Sequence, residues 1–330
     1  MRRPRHISPT SYMLYKKNPQ EFYHRYLADN KKPRFPSSDA MSVGTAYDCK
    51  VKSVLSVEFF GKDNFEGEAE RTINPEYLDM ALAAGDHIFD AYVESGAMGD
   101  LLKLVSASPI QPIMEEVVTC KVGDVIIYGK PDLAICTPNM IPIMLDFKVN
   151  GYCSKYPKSP AKGWMVLRHR PKDVWEVKHC HPKTKPVIVD GVKVNRTFTL
   201  DEVYKDWAVQ LTLYGWALES MGVTSNADPI CQIEQIVSKP SKIEGEKPIL
   251  RFATHSCFIS PEFKADLYDD LQNLWELCHS DWFFRDLSKE QSQFQQKVLD
   301  DASVQPKHEM MDVTENTFAN AFAPIGSEGN

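Results

Sequence analysis

Residues 112–149 read PIMEEVVTCKVGDVIIYGKPDLAICTPNMIPIMLDFKV, and this stretch decides the fold. Three β-rich runs, Pro112 to Lys121, Gly123 to Cys136 and Met140 to Val149, are separated by turn residues around Gly123 and Pro138-Asn139. The spacing predicts a three-stranded meander whose last two strands carry Asp132, Asp146 and Lys148. Strand side chains alternate between faces, so Asp146 and Lys148 share one, and antiparallel pairing brings Asp132 beside them. Two carboxylates at one point repel unless a cation neutralises them. Hard oxygen ligands favour Mg²⁺ or Mn²⁺. A neighbouring lysine can hold or deprotonate a water, or offset the charge that builds on a phosphate. Those components suit phosphodiester hydrolysis, although the Asp-x-Lys triplet by itself reads first as a surface ion pair of little consequence.

The flanking sequence surrounds these strands with helices. Ser8-Pro9 supplies an N-cap and a first-turn proline. The helix they open carries Tyr12, Leu14, Tyr15, Phe22, Tyr23 and Tyr26 and breaks near Asn18-Pro19. Ala40 to Phe60 and Pro75 to Ser95 read as two more helices. Downstream, residues 150–199 are irregular and basic, with a hairpin at Asp190-Gly191. A helix over Leu200 to Met221, strands over Ile230 to Val237 and Ile249 to Ile259, and a helix over Pro261 to Phe284 follow. This last helix has an apolar stripe of Phe263, Leu267, Leu271, Leu274, Trp275 and Cys278. The expected architecture is α/β, a central mixed sheet flanked by helices in the order αααβββ–insert–αββα. Residues 1–286 form one domain in this reading, with the N-terminal helical region (residues 1–110) as one wall of a cleft and the insertion 150–199 as another wall or a lid. Residues 287–330, rich in Gln, Ser, Asn and acids, read as a disordered tail.

Composition narrows the classes. With 43% hydrophobic and 25% charged residues among 330, the chain has the makeup of a soluble globular protein. It has no apolar run long enough for a membrane helix and no signal-peptide core, so a cytoplasmic location is expected. Eight cysteines without a CxxC pair argue against a disulfide framework and for small buried apolar side chains. The net charge of -7 weighs against a nucleic-acid partner, but the distribution matters more. Between Lys148 and Arg196 twelve basic residues stand against three acidic ones, a local +9 in a chain that is otherwise -16. Lys155, Lys158, Lys162, Arg168, Arg170, Lys172, Lys178, Lys183 and Lys185, interleaved with Tyr152, Tyr156, Trp164 and Trp175, suit DNA through phosphate contacts and base stacking. Taken alone, the segment reads equally as a solvated lysine-rich loop.

The pattern Pro131-Asp132 … Asp146-Phe147-Lys148 on consecutive strands resembles the PD-(D/E)XK nuclease superfamily. More of the chain is similar to its RecB-like and exonuclease VIII-like branch, which includes phage recombination exonucleases. Ile7-Ser8-Pro9-Thr10-Ser11-Tyr12 through Pro19-Gln20-Glu21-Phe22-Tyr23 looks like the opening signature of that branch. Gly44-Thr45-Ala46-Tyr47-Asp48 looks like its G-T-x-x-H helix, and Gln210-Leu211-Thr212-Leu213-Tyr214 like its Q-x-x-x-Y helix. The resemblance covers about residues 7 to 220 and implies a restriction-endonuclease-like core. It implies Asp132, Asp146, Asp48 and the Phe147 backbone carbonyl as ligands of Mg²⁺ or Mn²⁺. It makes Lys148 the catalytic lysine and sets Gln210 and Tyr214 beside the site to position substrate or Lys148. A DNA exonuclease of phage or bacterial recombination, repair or degradation is the implied activity, in the host cytoplasm if phage-encoded. A single-strand annealing or recombination protein is an implied partner, and a homo-oligomer stays open.

Two departures stand out. Asp48 replaces the family histidine; aspartate also binds Mg²⁺. The iron–sulfur cluster of some relatives is not expected, because Asn18 stands where their first cysteine lies and Cys231, Cys257 and Cys278 are too widely spaced. His179-Cys180-His181 with Cys153 matches no common zinc module. Glu115 or Glu116 is a candidate supporting acid. The rival readings are a catalytically weak or inactive DNA-binding protein on the same fold, which the Asp48 departure favours, and an assembly protein with a merely solvated acidic cluster.

Overall fold

A computed structural model describes residues 3–32, 37–154, 178–180 (backbone only), 184–222, 228–239, 241, 243 and 245–280. Helix α1 (Pro9–Lys17) starts on a reciprocal cap: Ser11 N–H donates to Ser8 Oγ (3.2 Å) and Ser8 N–H to Ser11 Oγ (2.8 Å). It ends at Asn18 because Pro19 has no N–H to continue the ladder. Asn18 Oδ1 then caps α2 (Pro19–Phe22), which runs into a π-helical turn, Tyr23–Leu27. Ser38 caps α3 (Asp39–Phe60), and Gly61, at φ +70, ends it in the left-handed region. A short α4 (Glu68–Thr72), α5 (Leu78–Glu94) and α6 (Ala97–Ser106) follow.

Helix α3 buries two adjacent stripes. Val43, Tyr47, Val51 and Leu55 form an apolar row, and Lys52 and Ser56, one position further round, are buried as well. Helix α5 crosses α3 so closely that a Cβ on Gly85 would lie 2.9 Å from Ala46 Cβ.

The expected meander proves to be four strands: β1 (Val118–Val122), β2 (Val125–Gly129), β3 (Leu133–Cys136) and β4 (Pro142–Asn150). The run from Gly123 to Cys136 breaks at Lys130-Pro131, since proline cannot donate to a ladder. Strands β1 and β2 form a two-stranded sheet of their own, to which Ile7 adds one parallel bridge at Ile127, while β3 joins the central sheet, so Asp132 lies just ahead of β3 rather than within a strand. Residues 112–117 are likewise not a strand beyond one bridge, Ile113 to Ala134.

The insertion contributes β5 (Lys178–Cys180) and the hairpin of β6 (Thr184–Val189) and β7 (Val192–Thr197). The hairpin turns on Asp190 (φ +51) and Gly191 (φ +80), as its sequence predicts. The helix expected from Leu200 breaks at Tyr204 into α7 (Leu200–Val203) and α8 (Lys205–Ser220). Strands β8 (Ile230–Lys239) and β9 (Ile249–Cys257) and helix α9 (Pro261–His279) complete the described residues.

The architecture is α/β, a mixed central sheet flanked by helices. Strand order is β3-β4-β8-β9-β5, with β3/β4 and β8/β9 antiparallel and β4/β8 and β9/β5 parallel. The parallel β4/β8 pair requires a crossover, which α8 supplies. Leu133, Leu145, Phe147 and Phe252 join the core built on α3, α5 and α6. Met144 points the other way, within 3.5 Å of where a Cβ on Gly215 of α8 would lie. Among the described residues no helix is long and apolar enough to cross a membrane. Residues Met1–Asp281 form one compact unit, and the expected tail 287–330 lies outside the described residues. Cys120, Cys136, Cys231, Cys257 and Cys278 are buried free thiols, whereas Cys153 is exposed.

Candidate functional site

The β3/β4 register opposes Leu133 to Leu145, which places Asp132 next to Asp146. Leu145 and Phe147 face the α3 side, so alternation turns Asp146 and Lys148 toward α8. Lys148 Nζ lies 2.6 Å from Asp146 Oδ2. From α8, Gln210 Nε2 donates to Asp146 Oδ1 (3.0 Å) and Gln210 Oε1 accepts from Lys148 (3.4 Å). One amide therefore holds both members of the ion pair. Tyr214, one turn on, lies over Gly129, where an added Cβ would be 2.4 Å from its ring. Burial, with Asp132 and Asp146 nearby, holds its hydroxyl well above the usual tyrosine range.

Asp132 links this group to α3. Its Oδ2 accepts from the Phe147 N–H (3.2 Å) and its Oδ1 from Lys52 (3.0 Å). Lys52 is only 1% exposed. It lies 2.5 Å from Asp48 Oδ2 and also donates to Glu115 Oε1. Glu115 adopts φ +53, in the region that costs a non-glycine residue. Its N–H donates to Pro131 O (3.0 Å), and Lys130 pairs with its second oxygen (2.9 Å). Glu116 is exposed. Of the two candidate supporting acids, Glu115 is the one drawn in.

A cavity of about 220 Å³ opens between α3 and β4. Asp48, Asp132, Asp146, Phe147, Lys148 and Gln210 line it, while Lys52 and Glu115 are not among its walls. Gly44 also lines it, with nothing within 4 Å of where its Cβ would be. Burial pushes the Asp146 carboxyl up to about 7, against the pull of Lys148, and pushes Asp48 up to about 7, against Lys52. Burial raises Asp132 too, but Lys52 and Lys148 together bring it below the ordinary aspartate value. Burial opposes the charge on both lysines, yet the carboxylates around them prevail and both are held above the usual lysine value.

Two buried carboxylate oxygens, Asp48 Oδ1 and Asp146 Oδ2, have no hydrogen-bond partner among the described residues. Asp146 Oδ2 meets Lys148 as an ion pair without hydrogen-bond geometry. Both side chains line the cavity, and Asp48 Oδ1 is the one of the two that no lysine meets among the described residues. Asp48, Glu115 and Asp132 also present oxygens within 4.8 Å of one another, but Lys52 already stands among them. A larger cavity, about 500 Å³, lies by α6, β8 and β9. Its buried acid, Glu234, is satisfied by Gln232 (2.8 Å) and Thr254 (2.9 Å), so it offers no comparable unmatched group.

Of the residues singled out by the sequence, Asp48, Asp132, Asp146, Phe147, Lys148 and Gln210 meet at one cavity, with Tyr214 packed behind. Lys155, Lys158, Lys162, Arg168, Arg170, Lys172 and Lys183 lie outside the described residues, as do Tyr156, Trp164 and Trp175 and the side chains of Lys178, His179, Cys180 and His181. Lys185 is described and is taken up by Glu202 (2.6 Å), which also binds Arg196. Tyr152, a candidate stacking residue, instead bonds His87 Nδ1 of α5 (3.0 Å). Lys52 is not among the residues the sequence singles out; its one signal is the four-residue spacing from Asp48 on a helix that is apolar beside it.

Compared with known proteins, the sequence matches no protein-family model and no curated protein.

Proposed function

We propose that the protein is a divalent-metal-dependent nuclease that hydrolyses phosphodiester bonds in DNA, on a restriction-endonuclease-like core of the PD-(D/E)XK kind. The observation that carries this reading is the cavity that Asp48, Asp132 and Asp146 line together, where Asp48 Oδ1 is buried with neither a hydrogen-bond nor an ion-pair partner among the described residues. A buried carboxylate in that state is costly unless a cation meets it. The charges agree. Asp48, Glu115, Asp132 and Asp146 outnumber the lysines that pair with them, Lys52, Lys130 and Lys148, so the centre is acidic on balance.

The residues present fit Mg²⁺ or Mn²⁺, which are oxygen-seeking ions. Asp48, Asp132, Asp146 and the Phe147 carbonyl would hold it. Such an ion supplies Lewis acidity toward a phosphate oxygen and an attacking water. Lys148, kept as an ammonium by Asp146 and Asp132, donates to the phosphate oxygen on which charge builds. Gln210 fixes Lys148 and Asp146 relative to one another, and Tyr214 buttresses that helix face. The basic segment from Lys148 to Arg196 attracts the DNA backbone. Exonuclease rather than endonuclease action, and a role in recombination or repair with an annealing protein, follow from the motif resemblance.

A second reading, a DNA-binding protein without cleavage, is favoured by Lys52, whose ammonium holds three of the acids itself. The deciding assay supplies Mg²⁺ or Mn²⁺ to linear and circular DNA, with Asp146→Ala and Lys148→Ala beside the wild type. Metal-dependent loss of linear DNA only, abolished in both variants while DNA binding is kept, is expected. A wild type that binds DNA and leaves it intact would establish the second reading.

A further inference from the structure

We propose that the Lys52 ammonium is a resident cation in the place a second divalent ion would otherwise take, so that the centre binds one divalent ion rather than two. This inference rests on the metal-centre reading above and adds to it a role for a residue outside the recognised motifs.

Three observations carry it. First, the cage is built for a cation. Asp48 Oδ2, Glu115 Oε1 and Asp132 Oδ1 converge on one point, and the Lys52 ammonium, with three N–H donors, meets all three. A lysine that is 1% exposed is tolerated only where its charge and its donors are satisfied. Second, Asp132 is shared. Its Oδ1 faces Lys52, and its carboxylate also lines the cavity with Asp146. In two-metal sites the ions stand about 3.5–4 Å apart, and a carboxylate with one oxygen on each side is the bridge such a pair needs. Here one side of the bridge is already taken by nitrogen. Third, Glu115 is aimed inward at a cost. It holds a left-handed backbone at φ +53, tied by its N–H to Pro131 O and by Lys130 on its outer oxygen.

The test is a Mn²⁺ titration of the full chain without DNA, with free Mn²⁺ followed by electron paramagnetic resonance. Wild type is expected to bind one ion per chain. Lys52→Met, which leaves the three carboxylates facing an apolar tip, is expected to bind two, and Mn²⁺ is expected to raise its melting temperature by more than it raises the wild type's. Lys52→Met with Glu115→Gln removes both the resident cation and one ligand, and is expected to return to one. Two ions on the wild-type chain would overturn the inference while leaving the metal centre in place. So would a Lys52→Met chain that stays at one ion, or one that excess Mn²⁺ fails to fold. A wild type that binds no Mn²⁺ would overturn the metal-centre reading and this inference together.

Discussion

Replacing Asp146 by Asn should stabilise the protein when metal is absent and destabilise it, relative to wild type, when metal is present. Asp146 is 1% exposed, and burial, only partly offset by Lys148, moves its carboxyl from an ordinary value of 3.8 to about 7. Holding it ionised at pH 8 therefore costs about 4 kcal/mol relative to the unfolded chain. Asparagine keeps the shape and the acceptor for Gln210 but turns an amide N–H₂ toward Lys148, so the net gain is about 2–4 kcal/mol. At about 2–4 °C per kcal/mol for a domain of this class, the melting temperature should rise by roughly 5–15 °C. The pH dependence has a definite sign. The folded carboxyl titrates above the unfolded one, so in chelator this group's contribution to wild-type stability falls as pH rises from about 4 to about 7. The variant's advantage grows over the same window and vanishes below it. Saturating Mg²⁺ should reverse the order at pH 8, since an ion at about 1,000 times its Kd stabilises the wild type by about 4.1 kcal/mol. Thermal melts of both proteins in chelator and in Mg²⁺, across pH 4–8, provide the assay. A variant less stable than wild type in chelator at pH 8 would show that the fold alone satisfies the Asp146 anion. That result would refute the reasoning and make the Asp146–Lys148 pair a structural ion pair.

Other substitutions separate the roles further. Lys148→Met should lower the cleavage rate by about 10²–10³-fold while Mn²⁺ binding, read by electron paramagnetic resonance, is retained; loss of both would make Lys148 a structural support. Gln210→Ala removes the amide that bridges Asp146 Oδ1 and Lys148 and should weaken Mn²⁺ binding by about 10–100-fold, as measured by the same titration. Gly129→Ala puts a methyl 2.4 Å from the Tyr214 ring and should cost about 1–3 kcal/mol. In a Tyr214→Ala background most of that cost should disappear, and a double-mutant cycle without coupling would contradict the packing described.

Much of the frame is legible in the sequence because local chemistry and tertiary structure agree there. Ser8-Pro9 and Asn18-Pro19 mark helix ends that the backbone obeys, Asp190-Gly191 turns the hairpin it predicts, and the Asp146-Phe147-Lys148 alternation puts acid and base on one face. Other features depend on what is distant in the chain. The break at Pro131 splits one β-rich run between two sheets, because β2 finds its partner in β1 and β3 finds its own in β4. Strand β5 is three residues long, too short for any periodicity, and among the described residues it joins the central sheet through β9. Helix α6 has Met98, Leu101 and Val105 at helical spacing, but Gly96 and Gly99 read as breakers. Lys52 is the instructive case. A lysine is assigned to the surface on its own chemistry, and only the convergence of Asp48, Glu115 and Asp132, up to 80 residues away, makes its burial stable.

The most direct measurement on the metal centre is anomalous diffraction from crystals of the full chain soaked in Mn²⁺. One Mn²⁺ peak is expected in the cavity between α3 and β4, bounded by Asp132, Asp146 and the Phe147 carbonyl, with Lys52 still in contact with Asp48 and Glu115. No peak in that cavity, in crystals where Asp146 and Lys148 keep their ion pair, would contradict the assignment.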